Sequence, residues 1–324
     1  MDRASWLRLA SDAIAQLDLG VLEETTAALI SKCNFPDLGG PITLAVSGGP
    51  DSSALLALAR ACACEPHVIY VNHNQRPTSK SDAEVVAALC ERFGARFEYK
   101  SVEVPPGPNL EARLREARNR VLPPGTATGH TQDDQVETMI INLMRGSGLD
   151  GLVAMNKYQS SQDETSRRIH PIIGLRRFET HQLCRDLQIS PIVDSMNEDP
   201  RFVRNRVRHE LIPLMNEISK RDVVEVMFRQ SVLFSDDAAF LEELAGSIDP
   251  QDARELASAP APLARRALRK WIASVSGSGY VEDFSSIERV RQVALLKSIG
   301  CNLKNGALVR RSGGKLRVEK KRTA

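Results

Sequence analysis

Seven residues, Ser47-Gly48-Gly49-Pro50-Asp51-Ser52-Ser53, lie between an apolar run, Ile42 to Val46, and a helix-like stretch, Ala54 to Ala63. A buried strand that ends in two glycines and restarts as a helix leaves backbone N–H groups without partners at one spot. The helix dipole favours an anion there. Glycine has no Cβ to block a phosphate and tolerates the angles of an anion-binding nest. Asp51 would repel a bare phosphate, so its place among these donors points to a carboxylate that holds Mg2+ against phosphate oxygens. No lysine lies near the glycines, so this is not the commoner G-x-x-x-x-G-K loop. The plainer alternative is a serine-capped strand-to-helix turn.

A second segment runs Gly129-His130-Thr131-Gln132-Asp133-Asp134-Gln135-Val136-Glu137-Thr138. Thr131 and Asp134 read as a capping box that opens a helix whose apolar face is Val136, Met139, Ile140, Leu143 and Met144. Asp134 and Glu137, three residues apart, share a face beside His130, so a base and carboxylates converge. A third segment, Arg201 to Glu210, carries Arg201, Arg204, Arg206 and Arg208. Its apolar stripe of Val203, Val207, Leu211 and Leu214 puts Arg204 and Arg208 on one flank and Arg206 elsewhere. Guanidinium forks match phosphate oxygens in pairs. Arg115 and Arg118 share a face of another helix and could reach one anion. Asn72 to Arg76 follows a strand end and could read a base or ribose edge.

These segments need strands to end beside one another. Strand-like runs recur at His67 to Val71, Phe97 to Val102, Thr126 to Gly129 and Ile169 to Ile173. Helical patterns at Ser81 to Phe93, Leu110 to Leu122, Gln132 to Arg145 and Phe178 to Leu187 separate or follow them. The alternation predicts an α/β fold, a doubly wound parallel sheet whose ligands bind beyond the carboxyl ends of its strands. Gly146-Ser147-Gly148-Leu149-Asp150-Gly151 matches the dinucleotide fingerprint but follows a helix instead of a strand, so it reads as a glycine-rich helix stop. Residues 1 to 40 form a helical extension, led by a helix over 5 to 31, and residues 41 to 219 form the sheet domain. Residues 220 to 324 form a smaller, mainly helical domain closed by a hairpin of Ala307 to Arg311 with Lys315 to Glu319.

The 324 residues suffice for two domains, and 42% apolar with 26% charged residues describes a soluble globular protein. Neither a secretion signal nor a membrane span is visible, so a cytoplasmic location is expected. The six cysteines are scattered without a C-x-x-C, against a zinc site, an iron–sulfur site or a disulfide framework. The net charge of +2 hides a basic end: from 301 to 324, eight basic residues stand against Glu319 alone, pointing to a polyanionic partner.

S-G-G-P-D-S at 47 to 52 resembles the signature of the PP-loop ATP pyrophosphatases. The whole set is similar to one branch, the tRNA(Ile)-lysidine synthetases. It comprises N-H-x-x-R at 72 to 76, S-D-A-E at 81 to 84, R-x-A-R at 115 to 118, G-H-x-x-D-D-Q-x-E-T at 129 to 138, R-G-S-G-L-x-G-L at 145 to 152, D-x-x-N at 194 to 197 and R-N-R-x-R-H at 204 to 209. The motifs keep family order across residues 40 to 215; beyond 220 the likeness is architectural, and the chain looks like the short form. The family's usual Tyr after R-x-A-R is Asn119 here, which leaves the local packing open.

The resemblance implies a ligase that adenylates the wobble cytidine of tRNA(Ile) with a CAU anticodon and joins L-lysine to it, releasing pyrophosphate and AMP. It implies Ser47, Gly48, Gly49, Pro50, Asp51 and Ser52 on ATP, with Asp51 on Mg2+. Asp51, His130, Asp134, Glu137 and Arg204 are the implied catalytic residues. Arg115, Arg118, Arg206 and Arg208 are the implied binders of phosphate or substrate. The carboxyl-terminal domain would hold tRNA, and the family's habit makes a homodimer the expected assembly. Two other readings stay open, an adenylating tRNA thiolase and a non-catalytic ATP- and RNA-binding module. Missing paired cysteines weigh against the first, and the presence of Asp51, His130 and Asp134 against the second.

Overall fold

A computed structural model describes residues 23–73, 79–105, 107, 110–155, 168–192, 199–276 and 283–319. Most of the leading helix, Asn74 to Arg76, Asp194 to Asn197 and Lys320 to Arg322 lie outside these described residues. The chain divides into two compact units, residues 1–232 and 233–324.

The first unit opens with α1 (Glu23–Ile30), β1 (Pro41–Ala45), α2 (Pro50–Ala61), β2 (Glu65–Asn72), α3 (Ser79–Arg92), β3 (Arg96–Ser101) and α4 (Leu110–Val121). It continues through β4 (Thr126–Thr128), α5 (Gln132–Met144), α6 (Leu149–Val153), β5 (Arg168–Ile169) and α7 (Arg177–Asp186). The five strands are parallel in the order β3-β2-β1-β4-β5. The chain winds outward from β1 through β2 to β3, then returns to place β4 on the other side of β1. The crevice between the loops after β1 and β4 is thus the topological switch point, where ligands bind in sheets of this kind. Helix α2 is apolar nearly all round and fully buried at Leu55, Leu56 and Leu58, as a helix covered on every side must be.

The expected strand over 169 to 173 shrinks to Arg168–Ile169. Pro171 has no N–H for a ladder, and the chain turns at once, Ile173 N–H donating to the His170 carbonyl at 3.1 Å. The apolar face of α5 is also shorter than expected, since Leu143 and Met144 are each 57% exposed while Val136, Met139 and Ile140 are buried. Gly146, at φ +77°, ends that helix as anticipated.

Val203 to Ser219 is helical but not uniform: α8 (Val203–Arg206) widens into a π turn over Val207–Leu211 before α9 (Ile212–Ser219). Pro213 cannot donate to the preceding turn, a recognised cause of such widening. The added residue shifts the face beyond it, so the expected stripe of Val203, Val207, Leu211 and Leu214 fails at Leu214; it fails also at Val203, which stands exposed in the first turn of the helix. Val207 and Ile212 are buried, while Val203 and Leu214 are exposed. Val207, Ile212 and Val224 pack with Val136 and Ile140 of α5. Val224 lies in the first turn of α10 (Val223–Gly246), so the start of that helix belongs to the first unit and the two units part at 232/233.

The second unit holds the rest of α10, α11 (Ala253–Ser258), α12 (Ala261–Ser276), α13 (Phe284–Ala294) and an antiparallel sheet of β6 (Gly300–Asn302), β7 (Leu308–Ser312) and β8 (Lys315–Glu319). The β7–β8 hairpin turns on Gly313 and Gly314, both at positive φ as a tight hairpin demands. Strand β6 was not anticipated; three residues are too few to show an alternating pattern.

Candidate active site

Between β1 and α2 the chain makes a braced loop. Gly48 sits at φ +84°, and a Cβ there would fall 2.2 Å from Ile192 Cδ1, so glycine is required on both counts. Its carbonyl accepts from the Ile192 N–H at 2.9 Å. Ser52 Oγ donates to the Gly49 carbonyl at 2.9 Å and accepts from the Ser47 N–H at 3.2 Å, so these serines hold the loop's shape. Gly49 caps α2 without a capping side chain, and Pro50 occupies the first turn. The first-turn N–H groups therefore face the dipole's positive end with no side-chain acceptor, the arrangement that binds anions.

The corner between β4 and α5 lies directly on this loop. A Cβ on Gly129 would stand 2.8 Å from the Asp51 carbonyl carbon and oxygen and 2.9 Å from Ser52 N. Only glycine allows that approach, and it brings His130 and the first turn of α5 against the cradle. Thr131 N–H donates to Asp134 Oδ2 at 2.9 Å, the capping box expected from the sequence.

Beside the cradle, acids and arginines interlock. Arg177 Nη2 donates to Asp134 Oδ1 at 2.9 Å, and Nη1 to Glu137 Oε1 at 2.9 Å. Its Nε stands 3.6 Å from Asp51 Oδ2. Arg204 donates to Glu137 Oε2 at 2.8 Å and Asp134 Oδ1 at 3.0 Å. Arg208 grips Glu137 with two bonds of 2.7 and 3.0 Å. Asp133 accepts from the Arg177 N–H at 2.8 Å and from Arg176 Nε at 3.2 Å. Thr180 donates its hydroxyl to Asp51 Oδ1. Glu137 is completely buried.

The environment drives the carboxylates apart. Burial works to raise Asp134, but Arg177 and Arg204 outweigh it and hold the group well below the usual range. Glu137 is likewise lowered against its burial, chiefly by the Arg208 hydrogen bonds and by Arg177. Asp51 moves the other way: burial and the Asp134 charge lift it to about 6 despite Thr180 and Arg177. Burial and the charge of His170 press His130 well below its usual value. Arg118, half-buried and within reach of the charges of Arg115, Arg168 and Arg204, is lowered to about 10 by desolvation and like charge.

Of the residues singled out from sequence, Asp51, His130, Asp134, Glu137, Arg204 and Arg208 come together here. Arg115 and Arg118 bear electrostatically on the adjoining histidines. Arg206 does not join them; it is exposed and pairs with Glu210 at 2.8 Å. Asn72 is buried and donates to the Tyr99 hydroxyl at 2.8 Å, a contact between β2 and β3. Arg177, the hub of the cluster, went unread, as did Thr180, Thr128 and His170. A signal for it existed: Arg176 and Arg177 open a helix, where the dipole disfavours cations, so acids must gather there.

Among the described residues no group of three or more His, Cys, Asp or Glu is arranged to hold a metal. Mg2+ at a nucleotide site needs only one or two carboxylates, with water and phosphate completing the shell. Asp51, a hard oxygen donor 23% exposed in the first turn of the cradle helix, fits that requirement.

Residues 22–215 match the PP-loop domain family. The tRNA(Ile)-lysidine synthase of Nocardia farcinica is 35% identical over 252 residues, spanning 74% of this chain and 77% of that protein. The tRNA(Ile)-lysidine synthase of Gloeobacter violaceus is 32% identical over 269 residues, 78% of this chain and 82% of that protein. Among solved structures, the U34-tRNA thiolase NcsA of Methanococcus maripaludis, with its 4Fe-4S cluster, superposes with a TM-score of 0.52. That likeness covers 66% of this chain and 80% of the thiolase at 18% identity, and is one of fold alone.

Proposed function

Because the chain belongs to the tRNA(Ile)-lysidine synthase family of PP-loop proteins, we propose that it ligates L-lysine to C2 of the wobble cytidine of tRNA(Ile) with a CAU anticodon, at the expense of ATP. The observation that carries this reading is the contact of Gly129 with the Asp51 backbone, which sets the His130 to Glu137 segment against the phosphate cradle. Cytidine O2 first attacks the α-phosphorus of ATP, and pyrophosphate leaves. The lysine amine nitrogen then attacks C2, the C2–O bond breaks, and AMP leaves.

Ser47 to Ser52 bind ATP, the free first-turn N–H groups and the dipole of α2 stabilising charge on the departing pyrophosphate. Asp51 would hold Mg2+, which when bound neutralises phosphate oxygens. His130, Asp134 and Glu137 position the lysine and manage its protons, since an ammonium with a pKa of about 10.4 must lose one before it can attack. Arg204 and Arg208 keep the two carboxylates ionised and fixed. Arg115 and Arg118 take an anion, the lysine carboxylate or a phosphate; Arg206, on the solvent side, is left to a tRNA phosphate.

The helical domain from 220 to 324 grips tRNA. Supporting this, Arg310 and Arg317 are held directly opposite each other on the exposed face of the β7–β8 hairpin, a like-charge pairing that costs stability without an anion. Lys315, by contrast, is tied to Asp249 at 2.6 Å. A cytoplasmic homodimer goes with this reading; among the described residues no helix is long and apolar enough to cross a membrane. The test supplies ATP, Mg2+, labelled lysine and tRNA with a CAU anticodon. Label should enter the tRNA with matching AMP and pyrophosphate. Pyrophosphate without label would mean a different nucleophile, and no turnover a binding module.

A further inference from the structure

A second histidine stands behind His130. Thr128 closes β4, and His170 directly follows β5, whose Ile169 is registered against Ala127, so topology sets Thr128 and His170 side by side. Thr128 Oγ1 lies 2.7 Å from His130 Nδ1 and 2.8 Å from His170 Nδ1, and the two ring nitrogens are 3.1 Å apart. The rings meet edge to face at 4.7 Å. Thr128 and His170 are both buried.

Three polar atoms this close leave little freedom. One hydroxyl proton cannot serve two bare Nδ1 lone pairs and keep them from facing each other, and two Nδ1–H groups would collide. One imidazole therefore carries its proton on Nδ1 and the other does not. Arg115 bears on both rings, Arg204 on His130 and Arg118 on His170, with Asp134 as the facing anion for both. Burial and these cations keep both rings neutral, His170 being lowered to about 4.

We propose that Thr128 and His170 are positioning residues that hold His130 as the acceptor of the lysine proton. His130 Nδ1–H donates to Thr128 Oγ1, whose hydroxyl donates to His170 Nδ1, leaving His130 Nε2 with an open lone pair. The carboxylates are poor rivals, because Asp134 and Glu137 already carry several guanidinium bonds each. In the step, an N–H bond of the lysine ammonium breaks, the proton bonds to Nε2, and the amine keeps the electron pair with which it attacks C2. The imidazolium so formed faces Asp134. This inference rests on the lysine-ligation reading above.

The test is nitrogen NMR of protein labelled in histidine, with His130 and His170 assigned through His130→Gln and His170→Gln, alongside lysine incorporation. Wild type should show His130 protonated on Nδ1 and His170 on Nε2. Thr128→Val, close in volume and suited to a strand, should lose that division and slow incorporation on the order of tenfold, less than the roughly 10²–10⁴ that the general base itself contributes. Its KM for ATP should not change, and Thr128→Ser should restore both spectrum and rate. The same tautomer on both rings, a proton on His130 Nε2, or wild-type spectrum or rate in Thr128→Val overturns the inference. No lysine incorporation by wild type would instead refute the ligation reading, and the spectra would still decide the tautomers.

Discussion

Replacing Asp51 with asparagine should make the ligand-free protein more stable at neutral pH while it stops ATP turnover. Burial, reinforced by the Asp134 charge, lifts the Asp51 carboxyl from 3.8 to about 6 against Thr180, Arg177 and Arg208. A carboxyl raised on folding helps stability only while it keeps its proton. The contribution is fully present below the unfolded value of about 3.9, and it is lost as pH climbs through the folded value. At about 1.4 kcal/mol per pH unit, the rise from 3.8 to about 6 leaves a penalty of roughly 3 kcal/mol at neutral pH. Asparagine keeps the shape without the charge but weakens the contact with Arg177. A net gain of about 1–3 kcal/mol is expected, on the order of 3–10 °C in Tm for a unit of this size. Calorimetry without nucleotide at about pH 7.5 and about pH 4 separates the cause, because the gain should vanish at the acid end. No gain at neutral pH, or an equal gain at both, would refute the reasoning. Wild-type kcat/KM for ATP, which reports the free enzyme, should fall as pH drops through about 6, where Asp51 takes up a proton.

Gly129→Ala should cost about 1–3 kcal/mol by overpacking and raise the KM for ATP, since its Cβ would press on the Asp51 backbone at 2.8 Å; wild-type urea stability would contradict this. Arg177→Met strips partners from Asp51, Asp134 and Glu137 and should destabilise by about 3–5 kcal/mol at neutral pH. Asp134 and Glu137 are lowered on folding, so the stability they gain from Arg177 is present above their unfolded values and lost in acid. A destabilisation of Arg177→Met that persists unchanged in acid would exclude that cause. Arg310→Glu with Arg317→Glu should weaken tRNA binding and flatten its salt dependence by about one per phosphate contact removed, leaving ATP affinity unaltered; filter binding at several salt concentrations decides.

The sheet was legible because β1 and β2 carry apolar residues at their buried positions, Ile42 and Leu44, then Val68, Ile69 and Tyr70, and because glycines mark the loop after β1 and the stop after α5. What escaped was set by distance in the chain. Arg177 meets Asp134 and Glu137 only because α7 packs over α2, and His170 meets His130 only because β4 and β5 are registered neighbours. Nothing local in Ile169 to Leu175 announces a functional histidine. The π turn is hidden for a different reason: a regular helical period continued through Pro213 leaves out the one added residue that rotates everything beyond it.

Three carboxylates approach one another at the switch point, yet only one is held at a cost. Arg177, Arg204 and Arg208 divide themselves between Asp134 and Glu137, and both acids are pushed down and stay ionised at neutral pH. Asp51 receives one distant guanidinium contact, at 3.6 Å, and a hydroxyl, and is pushed up. Environments that drive neighbouring carboxyls in opposite directions assign them different work. Asp134 and Glu137 are the fixed negative counterweight that keeps three arginines in place beside the cradle. Asp51 is the acid whose charge the protein leaves largely uncompensated, which suits it to the Mg2+ role proposed above. The same reasoning explains why Thr180 sits on Asp51: a hydroxyl can steady a carboxylate without neutralising it, as a further arginine would.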